Sequence, residues 1–141
     1  MRTYEMDRFH MGRIEPGGDL LEEIEAILVD RGIRSGYLWV LGAVRSGAVG
    51  YFDQQEEKYD RIELNEPMEI VVCQGNISMK GGRPFAHLHV NFSDAEGKTY
   101  GGHLVPGNEV FVAEVCIAEF SGVPLEREPI PELGLELWPS G

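Results

Sequence analysis

The chain has 141 residues, 43% of them hydrophobic and 26% charged, with 24 acidic side chains against 12 basic ones and a net charge of −12. That length and balance predict one globular domain over residues 1–141 and exclude disorder. The scattered basic residues, closest to a patch at Lys80 and Arg83, oppose direct binding of duplex nucleic acid, and no apolar run reaches the roughly 20 residues of a bilayer span.

Arg2 to Glu15 mixes apolar and charged residues as strands do, without the apolar segment of a secretory signal, which predicts a cytoplasmic location. Pro16-Gly17-Gly18 breaks that segment. Asp19 then has the chemistry of a helix N-cap, with Glu22 three residues on as its capping-box partner. Leu20, Leu21, Ile24, Ile27 and Leu28 recur at helical spacing, and Glu22, Glu23, Glu25 and Asp30 take the wet face. Gly32 closes the helix.

Beyond it the texture is that of strands: Tyr37–Leu41, Ala48–Phe52, Arg61–Leu64, Met68–Ser78, Phe85–Ser93, Thr99–Val105 and Glu109–Phe120, with a charged loop from Asp53 to Asp60. Cys73 and Cys116 each sit inside an apolar run and read as structural thiols in a reducing compartment. Four prolines between Pro124 and Gly141 predict an irregular tail lying on the surface. One helix packed on an antiparallel or mixed sheet, an α+β fold, is the expected architecture.

The segment Ala86-His87-Leu88-His89-Val90 alternates strictly, so His87 and His89 point to one face of a strand and Leu88 and Val90 to the other. A three-residue loop closing on Gly97 pairs Asp94 with Lys98. Counting back from that pair sets Ser93 opposite Thr99, Phe92 opposite Tyr100 and His89 opposite His103. Directly opposed residues share a face, so His87, His89 and His103 converge. Three imidazoles suit Zn²⁺, and also Ni²⁺, Cu²⁺ or Fe²⁺. They leave a coordination position open for water, or for a small anionic or carbonyl ligand. Ligating imidazoles must be neutral, so such an ion is expected to leave below about pH 6. Arg45 and Glu114 are polar residues set among apolar ones, where a buried pair or a residue supporting a metal ligand would sit, and Glu114 is the first residue to test as a general base. Trp39 and Tyr100 read as core residues or as walls of a pocket, and His10 stands apart. Spacing assigns no substrate and does not decide whether the protein is an enzyme.

Several of these segments together resemble the plants-and-prokaryotes conserved (PPC) domain family. They are Pro16-Gly-Gly-Asp-Leu20, Leu41-Gly-Ala43, Met68-Glu-Ile-Val-Val-Cys-Gln-Gly75, His87-Leu-His89, Gly101-Gly-His-Leu104, Ala113-Glu114 and Gly134-Leu135. The resemblance implies a curved, mostly antiparallel sheet with one main helix, a homotrimer, and a zinc site on His87, His89 and His103 near the subunit boundary. Plant relatives pair the domain with AT-hooks, so prokaryotic members are considered DNA-binding by analogy. Here Gly81-Gly-Arg-Pro84 lacks the hook's first arginine, and Glu66-Pro-Met-Glu-Ile-Val71 lacks the arginine of the plant Gly-Arg-Phe-Glu-Ile-Leu motif. Both departures argue against a DNA contact.

Overall fold

The structure, a computed structural model, describes residues 1–140. Helix α1 (Leu20–Arg31) starts at the Asp19 N-cap, whose Oδ1 accepts from the backbone N–H groups of Leu21 and Glu22, each at 3.1 Å. It ends at Gly32, left-handed at φ 67°. The other Asp19 oxygen accepts from the N–H groups of Gly107 (2.6 Å) and Asn108 (2.8 Å), so the cap also ties the helix to a distant loop.

The strands are β1 (Met6–Ile14), β2 (Gly36–Val44), β3 (Gly47–Asp53), β4 (Lys58–Leu64), β5 (Met68–Lys80), β6 (Arg83–Ser93), β7 (Thr99–Leu104), β8 (Val110–Phe120), β9 (Glu126–Ile130) and β10 (Leu135–Leu137). The main sheet runs β1-β8-β2-β5-β6-β7-β3-β4, every pairing along it antiparallel. Against both β2 and β6, strand β5 carries an extra residue at Val71–Val72, a bulge that bends and twists the sheet locally. One face carries Leu38, Val40, Leu88, Val90 and Phe92, which join Leu20, Ile24 and Leu28 of α1 in one buried cluster. The intervening residues of β6, including both histidines, therefore point away from the helix.

Two expectations are corrected. The charged loop shrinks to residues 54–57, because Lys58 to Asp60 pair with Asp53 to Tyr51 in the β3–β4 hairpin. That hairpin forms the free edge of the sheet and is exposed through most of β4, so its sequence carries no apolar alternation to announce a strand.

The tail is not irregular. β9 adds in parallel to the end of β5 (Met79 with Glu126, Lys80 with Arg127). A 3-10 turn at Pro131–Leu133, closed by Gly134 at φ 62°, folds β10 back on β9. The prolines fit because edge positions and a turn's first residue need no N–H donor. Among the described residues no helix is long and apolar enough to cross a membrane.

Candidate metal centre

The β6–β7 hairpin builds the centre by backbone register. The Asp94 N–H donates to the Lys98 carbonyl (3.0 Å) and the Gly97 N–H to the Asp94 carbonyl (3.1 Å). Gly97 sits at φ 82°, where any side chain would be strained. The Asp94 carboxylate tightens the turn by accepting from the Lys98 N–H at 2.8 Å. The ladder then runs Ser93 with Thr99, Phe92 with Tyr100, and His89 with His103, without a bulge at Gly101-Gly102. β3 crosses behind His103 at Gly50, where a Cβ would come within 2.8 Å of the Val105 side chain.

The three imidazoles share one face, and each offers a nitrogen within 4.8 Å of the other two. His87 Nε2 and His103 Nδ1 are 3.2 Å apart. Two nitrogens bound tetrahedrally to one zinc stand about 3.3 Å apart, so this pair already has the spacing of a shared ion. His103 stacks on His87 (centroids 5.1 Å, 16°) and meets His89 edge-on at 4.3 Å. Tyr59 of β4 stands edge-on against the outer side of His103 at 5.3 Å. His87 and His103 are half-buried and His89 is exposed.

Burial, reinforced by the charges of Arg127, His103 and His89, pushes the His87 pKa from 6.5 down to about 4. Burial and the charge of His89 lower His103 as well. His87 is thus neutral well below pH 6, in the form a metal ligand needs. In the metal-free protein the unfolded chain takes up the His87 proton first, because its pKa is the higher one. Stability is then complete above about pH 6.5 and falls as pH drops toward about 4. Urea midpoints of the metal-free protein should decline over that window, and less so in His87→Asn. A midpoint equally pH-dependent in both proteins would contradict this assignment.

The remaining candidates lie elsewhere. Glu114 is exposed on β8, opposite Arg13 and Leu41. β2 and β5 separate it from β6, a gap of roughly 14 Å at ordinary strand spacing. Arg45 pairs with Glu109 (3.4 Å) and covers the Phe111 ring rather than meeting Glu114. Trp39 stands on the outer face against Tyr37 and Phe9, and Tyr100 donates to Asp94 Oδ2 at 3.3 Å. His10 is held by Glu119 at 2.9 Å. The Cys73 thiol is pushed up to about 12 by burial and is no nucleophile.

Sequence reasoning missed Arg127. β9 carries it over Asn76, the cross-strand partner of His87, and its guanidinium donates to Asn76 Oδ1 at 3.1 Å. Only the irregular reading of the tail concealed it.

Residues 1–121 match the Plants and Prokaryotes Conserved (PCC) domain. Among solved structures, a metal-containing protein from Archaeoglobus fulgidus is 39% identical with a TM-score of 0.91, over 99% of this chain and 100% of the other. A plant- and prokaryote-conserved protein of Pyrococcus horikoshii is 34% identical with a TM-score of 0.94, over 99% of this chain and 96% of that one. The bifunctional protein GlmU of Synechococcus sp. strain JA-3-3Ab is 33% identical over 89% of this chain, which spans only 19% of that relative's length.

Proposed function

This chain belongs to the Plants and Prokaryotes Conserved domain family, and from that premise we propose that it is a homotrimeric, zinc-binding protein of the cytoplasm whose His87, His89 and His103 hold one ion and leave a position open for a small anionic or carbonyl ligand. The observation that carries the reading is the convergence of three imidazoles from two paired strands, with two nitrogens already at the separation a shared zinc demands. The description of the Archaeoglobus protein as metal-containing supports it. The burial that lowers the pKa of both His87 and His103 favours the neutral imidazoles whose lone pairs a metal needs. When bound, the ion would supply a Lewis-acidic centre for a small donor ligand. The test is the zinc content of desalted protein, expected at one ion per chain; metal-free protein after loading with zinc would contradict the reading.

The free thiols of Cys73 and Cys116 fit a reducing compartment. Trimerisation is supported by the outer face of the sheet. Met11, Cys116, Trp39, Gln74, His89 and His103 follow one another across the strands on that face. Its apolar end is left in water, with Phe9 51%, Met11 76%, Trp39 39% and Leu41 57% exposed. A contiguous apolar patch of this kind marks a protein interface. Because the same row leads to His89, an interface there would border the metal centre. Sedimentation velocity is expected to give three times the chain mass of 15.7 kDa. A monomer at all concentrations would contradict the assembly.

A further inference from the structure

A cavity of about 460 Å³ opens beside His87 and His103, within the size range of small-molecule sites. It lies where β6 runs on past the last β7 pairing, at His89 with His103, so that one side of residues 83–88 has no strand against it. The β3–β4 hairpin contributes Phe52 and Tyr59 as one wall, and the tail contributes Leu135, Leu137 and Arg127 as the other. Most of this lining is apolar or aromatic; besides the two histidines, its charged side chains are Lys80, Glu136 and Arg127.

Arg127 donates through Nε to Ser78 Oγ (3.2 Å), through Nη1 to the Glu136 carbonyl (3.1 Å) and through Nη2 to Asn76 Oδ1 (3.1 Å). All three acceptors are uncharged. One N–H on each Nη is left over to donate to an anion. The guanidinium lies 5.2 Å from the Phe85 ring centre and 5.3 Å from that of Trp138, which fixes its position and removes water from around it. Glu136 is the acidic residue lining the same cavity, and its carboxylate is taken by Lys80. Among the described residues no carboxylate lies within ion-pair distance of Arg127. Burial lowers its pKa, against the opposing influence of Tyr59 and the Glu136 carboxylate.

We infer that this cavity binds a small monocarboxylate with a compact apolar body, its carboxylate facing the Arg127 guanidinium and the His87–His103 side of the histidine cluster and its body lying against Phe52, Tyr59 and Phe85. The inference rests in part on the metal reading. A dication on neutral imidazoles and a guanidinium beside them place two positive centres together, and an anion between them is stabilised by both. The Arg127 half stands without the ion. A neutral ligand of the same shape offers each centre only a carbonyl dipole and no charge, so it is held more weakly.

The probe is benzoate, with benzamide as its uncharged counterpart, and the protein is the 141-residue chain loaded with cobalt(II) in place of zinc. Titration calorimetry reads the affinity, and metal analysis of the same samples reads cobalt per chain. Benzoate is expected to bind at least about tenfold more tightly than benzamide, on the order of one charge-assisted contact. Arg127→Gln is expected to weaken benzoate by about tenfold or more, with cobalt content unchanged. If that variant fails to fold, Arg127→Lys, which keeps the charge and loses the guanidinium, is expected to weaken benzoate in the same direction. Equal binding of benzoate and benzamide, full benzoate affinity in the variants, or cobalt-loaded protein that ignores benzoate would each overturn the inference. A chain that binds benzoate through Arg127 but takes up no cobalt would sustain it while ending the metal reading.

Discussion

Asn108→Ala is expected to destabilise the fold by about 3 kcal/mol, which in a domain of this size lowers Tm by about 10 °C. Asn108 is fully buried between β7 and β8. Its Oδ1 accepts from the Ala48 N–H at 2.8 Å, and its Nδ2 donates to the Ala48 carbonyl at 3.2 Å and the Val105 carbonyl. β3 pairs with β7 only at Val49 and Gly50. The carboxamide therefore stands in for a missing strand, taking both backbone groups of Ala48 where the ladder has run out. Alanine would leave those groups buried and unsatisfied, and an unmet polar group in the interior costs more than a hydrogen bond gains. The Asn108 N–H also donates to the Asp19 cap, so the loosening would spread to the start of α1. Thermal unfolding followed by circular dichroism reads the effect. A shift below about 3 °C would contradict this account of the loop.

Local rules made the helix and the hairpin legible. Asp19 and Gly32 mark α1 by capping chemistry confined to a few residues, and Gly97 fixes a loop length from which the pairing of His89 with His103 follows by counting. What stayed hidden is non-local. The order β1-β8-β2-β5 and the pairing of β3 with β7 depend on loop closures that no short pattern announces. Arg127 reaches the centre because residue 126 pairs with residue 79, and nothing in Glu126-Arg-Glu-Pro129 identifies a parallel partner. Asn108 falls between two predicted strands, and only its hydrogen bonds to Ala48 make it a structural strut. Glu114 illustrates the opposite error. A charge between apolar neighbours looked like a buried functional group, but it lies on the exposed side of β8, strands away from the histidines.

The largest functional effect is expected from His103→Ala. Of the three imidazoles, this one arrives from the second strand, close against His87 and His89, and it is flanked by Tyr59 and the Gly50 backbone. Its loss leaves two ligands two residues apart on one strand, which cannot enclose an ion. Disturbing residues that only orient a metal's ligands costs roughly 10- to 100-fold in affinity, and loss of a direct ligand is expected to exceed that. The fold should survive, because the alanine vacates a half-buried position on the outer face rather than in the cluster around α1.

Zinc per chain, counted by plasma mass spectrometry after loading and desalting, compares the unaltered protein with His103→Ala directly. One ion in the first and almost none in a folded variant is the predicted result. Stoichiometric zinc that survives the substitution would mean that the three imidazoles share no ion.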